Sequence, residues 1–431
     1  MSLIPANEKI VETKTCHHCG APFDITDKDL EFYDKISPVF GGVKYPIPSP
    51  TFCPDCRQQR RLSFKNERKL YKRKCNKTEK DIISMYSPDK PYKIYEQNEW
   101  WSDKWNPLDY WEDFNFDKSF FVQFWKLSLN IPHPSLITVS NHNSEYTNFT
   151  DHLKNCYLVF ITSFAEDCYY SCWADYSKNT IDNENSVECK ECYEITHCKN
   201  CFWVCYSRYS NDCSNSSYLT DCDWCTNCLF CMWLKNKSYC ILNKEYPKEE
   251  YEKIKNNKNF INALFKKFHE IVIKFPRKHI YWNTNENCVW DFINNSKNIY
   301  NSYTTFHCED SKYLYDVLEI RDSYDLSSST INSFIYEWDS IVESFSLLSC
   351  YSVINSSKLY YCFWMLSSSN CFWCIWLKNK SYCIFNKQYT KEEYEGLVPK
   401  IIEYMKETGE WGEFFPSSIS PFGYNETVAQ E

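Results

Sequence analysis

Shifted by 143 residues, the second half of this chain lies over the first without a gap. Cys228-Leu-Phe-Cys231-Met-Trp-Leu-Lys-Asn-Lys-Ser-Tyr-Cys240 matches Cys371-Phe-Trp-Cys374-Ile-Trp-Leu-Lys-Asn-Lys-Ser-Tyr-Cys383, and 19 of the 25 positions from Cys228 to Glu252 are identical to Cys371 to Glu395. The same offset pairs Phe149 with Phe292, Lys154 with Lys297, Asp167 with Asp310 and Tyr193 with Tyr336. A fixed self-match of this length means a duplicated structural unit, so each copy tests what a residue of the other is for.

That comparison decides how to read the cysteines. The chain has 26, of which 14 lie between Cys156 and Cys240. Only Cys371, Cys374 and Cys383 keep the matching positions of the second copy. Cys168, Cys201, Cys213 and Cys225 become Ser311, Ser344, Ser356 and Ser368, while Cys156, Cys192, Cys198 and Cys205 become Ile299, Ile335, Ile341 and Leu348. Metal ligation needs a thiolate, which Ile and Leu cannot replace. A free cysteine that packs as a small hydrophobe can be exchanged in this way. Packing is therefore the reading for most repeat cysteines, with Cys192/Ile335 and Cys205/Leu348 expected to face the interior.

Cys189, Cys201, Cys213 and Cys225 are spaced by 12, and Cys228/Cys240, Cys350/Cys362 and Cys371/Cys383 keep that interval. Short apolar clusters follow polar steps such as Lys154-Asn155 and Glu166-Asp167. The recurring period and the stackable residues favour a parallel β-solenoid in two copies, with a β-sandwich as the alternative. No glycine falls between Gly42 and Gly396, which removes every Gly-dependent phosphate cradle from the body and leaves Asn to fill left-handed positions. Pro247-Lys-Glu-Glu and Thr390-Lys-Glu-Glu each open a helical pattern, expected over 248–275 and 391–408 as caps on the solenoid blocks.

One strong chemical motif precedes the repeats. Cys16-His-His-Cys19-Gly20 and Cys53-Pro-Asp-Cys56 are two CxxC pairs, and two such pairs complete a closed tetrahedral Zn²⁺ site. Phe40-Gly41-Gly42-Val43 reads as a hairpin turn between them, and a helix is expected from about Pro54 to Lys74. A knuckle, a hairpin and last ligands at a helix start describe a treble clef or related zinc ribbon holding one structural zinc, with His17 and His18 exposed beside it. On that helix Arg57, Arg61, Lys65, Arg68 and Lys72 fall within about 80° of one face, with Arg60 adding charge. Such a stripe is the footprint expected for a phosphate backbone, or else a face that docks on acids of a body whose net charge is −9.

These residues carry a resemblance. Cys16-His-His-Cys19-Gly-Ala-Pro-Phe, Cys53-Pro-Asp-Cys56-Arg and Asn66-Glu-Arg-Lys-Leu-Tyr71 are similar to the zinc-ribbon module of uncharacterised candidate-phylum bacterial proteins with Cys/aromatic-rich repeats. The likeness continues through both repeats to Ser420-Pro-Phe-Gly-Tyr-Asn-Glu-Thr and implies zinc binding without an activity. It also implies a second ribbon after the basic helix and a further one beyond the position of Glu431. Here the second ribbon keeps only Cys75-Asn-Lys-Thr78 and Glu96-Gln-Asn-Glu99, a poor donor set that is expected to be metal-free.

Residues 95–129 gather Trp100, Trp101, Trp105, Trp111 and Trp125 among acids, a pattern that favours a small core over a sugar site. The N-terminus lacks a signal-peptide run and no apolar stretch is long enough for a bilayer, so a cytoplasmic protein is expected. The expected organisation is a zinc module over 1–80, an aromatic-rich segment over 81–140, solenoid copies over 141–255 and 283–395, a helical connector over 256–282 and a C-terminal helix and tail over 396–431. The leading functional reading is a non-enzymatic zinc-containing scaffold that recognises a macromolecular partner. A nucleic-acid binder using Arg57, Arg60, Arg61, Lys65, Arg68 and Lys72 is the second. A carbohydrate-active β-helix enzyme is the third, with Glu166/Glu309, Asp167/Asp310 and Glu194/Glu337 as the acids common to both copies.

Overall fold

The structure, a computed structural model, describes residues 4–5, 7–274, 276, 282–288 and 292–430. The side chains of 282–283, 329–334 and 338–346 lie outside that description, and so do the expectations for Ile341, Ser344 and part of the 256–282 connector. The chain is mainly β, with seven helices among the described residues. None of these is long and apolar enough to cross a membrane. The chain divides into two units, one of residues 1–82, 86–134 and 278–431, the other of residues 83–85 and 135–277. Each unit holds one copy of the repeat. The N-terminal module, expected to stand alone, is grouped with the second copy.

In both copies the strands pair in parallel at a step of twelve residues until a closing antiparallel pair, Ile241 with Lys244 and Ile384 with Lys387. Glu166 pairs with Lys178, Ile181 with Tyr193 and Ser217 with Leu229, as do Tyr303 with Tyr315 and Leu359 with Cys371. One step at the start of the second copy is eleven, from Trp282 to Ile293. The backbone enters the left-handed region at every third residue, as at Asn155 (φ 54), Leu158 (φ 53) and Ile161 (φ 47). The residue after most of these bends is buried, as in the series Cys156, Val159, Thr162, Ala165 and Cys168. Asn is expected to fill left-handed positions, and it does so at Asn155, Asn179 and Asn200. Trp173, Tyr206 and Phe230 occupy them as well, although such a conformation costs an L-residue about 1–2 kcal/mol. Hydrogen bonds on both sides offset the cost: the Asn155 N–H donates back to the His142 carbonyl, and the Lys154 N–H donates forward to that of Ala165, each at 3.0 Å.

The interior explains why cysteine and serine dominate it. Many inward-facing N–H groups bond to the inward side chain twelve residues earlier, although those of Ser186 and Thr305 keep a backbone carbonyl (Trp173 O, 2.9 Å; Phe292 O, 3.0 Å). Cys189 N–H donates to Ser177 Oγ (3.2 Å), Cys228 N–H to Ser216 Oγ (2.9 Å) and Cys362 N–H to Cys350 Sγ (3.3 Å). The side chain's own proton goes to carbonyls two residues before and nine after. Cys201 Sγ thus reaches Lys199 O (3.5 Å) and Ser210 O (3.3 Å), while Ser368 Oγ reaches Leu366 O (2.9 Å) and Leu377 O (3.4 Å). The position wants a small group that packs, donates and accepts, so Cys and Ser interchange without leaving a buried polar group unpaired. Cys192 and Ile335 are both buried, as expected. Cys205 is a correction: it sits half-buried on the outer face, whereas its counterpart Leu348 is buried. The outer face of the second copy is covered by other elements of its unit, so burial of Leu348 says nothing about the direction in which Cys205 points.

Those covering elements are α1 (Asp27–Ile36), α2 (Pro54–Leu62), α3 (Gln97–Trp100), α4 (Phe120–Asn130) and the segment after α7 (Lys391–Glu407). The expected helix to Lys74 is a correction. It ends at Leu62, and Tyr71–Lys74 is a strand. The expected hairpin is present as β3 (Val39–Phe40) and β4 (Val43–Lys44), with Gly41 and Gly42 at positive φ between them. The aromatic-rich segment builds core: Trp100 is buried against Trp376 at 4.6 Å, and Phe124 packs on Phe363 and Phe415 at 4.9 and 4.8 Å. α7 starts at a Thr390/Glu393 capping box and buries Ile401, Ile402 and Met405. In the other unit, α5 (Lys248–Lys255) and α6 (Lys258–Lys274) place Tyr251, Leu264 and Phe268 over Leu229, Phe230 and Ile241.

Candidate metal centre

β1 (Ile10–Thr15) and β2 (Pro22–Thr26) form an antiparallel hairpin whose connection is the first CxxC pair. Cys16 N–H donates to Ala21 O (2.9 Å) and Gly20 N–H returns to Cys16 O (3.0 Å), a turn that Gly20 closes at φ +74. The second pair opens α2, with Cys53 at its N-cap and Cys56 in its first turn. The elements bring Cys16, Cys19, Cys53 and Cys56 together with all four sulfurs within 4.8 Å, the one such group among the described residues that could hold a metal ion. Burial pushes the Cys16 thiol up, but hydrogen bonds from the backbone of Cys19, Cys53 and His18 outweigh it and bring it down to about 6. Burial and the neighbouring sulfurs push Cys56 the other way. Four thiols this close cannot all ionise without a cation between them. His17 and His18 are exposed, and His18 stacks on Phe52 with its Nδ1 3.4 Å from Cys56 Sγ.

The basic residues that follow do not form a solvent-facing stripe. Arg57, Arg60, Arg61 and Lys65 are buried. Arg57 Nε and Arg61 Nη1 lie 3.0 and 3.1 Å from Asp325 Oδ1. Arg60 Nη2 donates to both Glu337 oxygens at 2.7 Å, and its Nη1 donates to Glu413 at 2.9 Å. Lys65 reaches Ser328 Oγ at 2.7 Å and Glu67 at 2.6 Å. Burial pushes the Glu413 carboxyl up, but Arg60 and Thr51 outweigh it and hold the group below the usual carboxylate range. Only Arg68 and Lys72 of the six are exposed, and they lie beyond the end of the helix. Four of the six residues expected to bind phosphate, Arg57, Arg60, Arg61 and Lys65, thus form an internal docking face instead. The sequence signal for it was present, since Asp325 and Glu337 both have acidic counterparts, Asp182 and Glu194, in the other copy.

The remaining acids shared by the copies are engaged locally. Glu166 sits between Lys154 (2.7 Å) and Lys178 (2.8 Å), and these two lysines hold its carboxyl down at about 2. Glu309 pairs with Arg321. The expected remnant of a second ribbon repeats the knuckle backbone of the first: Cys75 N–H donates to Lys80 O (2.9 Å) and Glu79 N–H to Cys75 O (3.0 Å). Glu96 N–H donates to Cys75 Sγ at 3.3 Å, while Glu96 pairs with Lys80 and Glu99 with Lys104 and Lys77. The two glutamates that stand in place of a second CxxC are thus engaged by lysines. Comparison of the chain with family models and with curated proteins finds no match.

Proposed function

We propose that this chain is a non-enzymatic, zinc-containing scaffold that recognises a macromolecular partner, built as a treble-clef zinc ribbon on a duplicated parallel β-solenoid. The constant twelve-residue parallel step and the three-residue bend rhythm support the solenoid, each twelve residues being one coil of four short sides. The donor set carries the zinc reading. Tetrahedral sulfurs at about 2.3 Å from zinc lie about 3.8 Å apart, and Cys19 and Cys53 Sγ are separated by 3.7 Å. Cys16, Cys19, Cys53 and Cys56 would hold the ion, which supplies structural closure of the hairpin against the start of α2. With Arg57, Arg60 and Arg61 buried, α2 presents no basic face to favour nucleic acid as the partner. Elemental analysis of the full chain tests the proposal: about one zinc per chain is expected, lost with Cys16→Ser and retained with Cys201→Ser. Two or more equivalents, or one that survives Cys16→Ser, would overturn it.

A further inference from the structure

The duplication gives each copy one outward row of residues at left-handed bends, spaced by twelve. In the second copy the row runs Tyr313, Asp325, Glu337, Ser349, Tyr361, Trp373. At offset 143 the first copy answers with Tyr170, Asp182, Glu194, Tyr206, Tyr218, Phe230. Four of these six are identical in the two copies, at Tyr170, Asp182, Glu194 and Tyr218.

In the second copy the whole row is occupied. The Arg57 guanidinium lies 5.1 Å from the Tyr313 ring, Asp325 takes Arg57 and Arg61, and Glu337 takes Arg60. Tyr361 OH accepts from Gly412 N–H at 2.8 Å, and Trp373 is covered by Phe120 of α4. In the first copy only the far end is occupied, where Phe268 of α6 packs on Phe230 at 5.5 Å and Phe265 on Tyr218 at 5.5 Å. The end that corresponds to the arginine-binding half is open. Tyr170 is 55% exposed, Tyr206 is 43% exposed, and Asp182 and Glu194 are exposed between them. Beside the row, Tyr193 repeats Tyr336, and Ile181 stands where Tyr324 stacks against Phe32 of α1.

We infer that the Tyr170–Asp182–Glu194–Tyr206 face of the first copy is a docking site for an arginine-bearing helix of a partner protein, one that presents arginines at the spacing of Arg57, Arg60 and Arg61. The inference rests on the scaffold reading and names its partner by chemistry. Two carboxylates twelve residues apart, with the Tyr313 ring one step before them, hold guanidinium groups in the second copy through charge-assisted bonds and ring contact. The same residues at the same backbone conformation in the first copy present that chemistry to solvent. The chain's own α2 is committed to the second copy, so the occupant is another molecule's helix.

The test uses the full zinc-loaded chain and a fluorescent peptide with the sequence of Phe52–Asn66 carrying Cys53→Ser and Cys56→Ser, held helical by a hydrocarbon staple. Saturable one-to-one binding is expected. It should weaken as salt rises, fall about tenfold or more in Asp182→Asn and Glu194→Gln, and stay unchanged in Glu188→Gln, half a coil away. Absence of binding overturns the inference, as does binding that survives both substitutions or that Glu188→Gln weakens equally. Self-association of the chain that the same two variants abolish would make a second copy the occupant, and would overturn it too. A chain that keeps its zinc and its thermal transition while ignoring the peptide sinks the inference alone. Failure of the scaffold reading would show instead in the zinc content of the same sample.

Discussion

Arg60 Nη2 lies 2.7 Å from each carboxylate oxygen of Glu337, and both side chains are buried. The pair joins the start of the chain to the second repeat across 277 residues of sequence. Removing one member leaves the other's charge buried without its partner, which costs far more than the intact pair contributes. Arg60→Ala or Glu337→Gln should therefore each destabilise the fold by about 3–5 kcal/mol in denaturant unfolding. The double variant should cost clearly less than the sum. Additive losses would show that the two groups are not coupled.

Arg61→Glu places a carboxylate beside Asp325, and its effect should appear as a lowered thermal transition. Arg68→Glu with Lys72→Glu should leave the transition unchanged, because both residues are exposed. The full chain should show no RNA binding in fluorescence anisotropy at low salt that depends on Arg57, Arg60 or Arg61. Such binding by a still-folded protein would mean that the buried face opens.

His133 gives the fold a pH dependence. Its Nδ1 accepts from the Trp376 indole N–H (3.0 Å), and its Nε2–H donates to the Ser128 carbonyl (2.8 Å). A second ring proton would have no acceptor. Burial pulls the imidazole down to about 4. A base depressed in the folded state is protonated first in the unfolded chain, so stability is complete above about pH 6.5 and falls as the pH drops towards about 4. The loss over that window should approach about 3 kcal/mol, and His133→Gln should flatten that part of the stability profile. An unchanged slope in the variant would assign the dependence to other groups.

Inward thiols should tolerate serine. Cys192 Sγ already donates to Lys190 O (3.2 Å) and Cys201 O (3.5 Å), and a hydroxyl inherits both partners. Cys192→Ser should cost under about 1 kcal/mol, whereas Cys192→Asp should cost several, since it buries a charge without a cation. Cys205→Ser, on the outer face, should be silent. Thermal unfolding of the three variants checks the order, and a large loss in Cys192→Ser would show that the carbonyls do not accept.

Much of the architecture was legible because it is periodic. The offset of 143 and the interval of 12 persist in the strands and their step, and both Lys-Glu-Glu runs open helices. The four-cysteine cluster was legible for a similar reason, since four cysteines at two fixed spacings admit few geometries. The destination of the arginines was not. A run of basic residues looks the same whether it meets water or acids more than 260 residues away, and the helical-face argument continued the helix past Leu62, where it ends. The direction of Cys205 was missed because substitution by Leu348 reports burial, and burial in the second copy comes from outside the repeat.

The long reach of the arginine contacts has a consequence for biosynthesis. The partners of Arg57 and Arg60 lie 268, 277 and 353 residues further along. At roughly 5–20 residues per second, the ribosome delivers Asp325 and Glu337 some tens of seconds after the arginines emerge. Through that interval the N-terminal segment is a nascent chain with its guanidinium groups exposed and its final neighbours not yet made. Closure of the N-terminal module over its buried ion pairs therefore waits until the second copy has been synthesised.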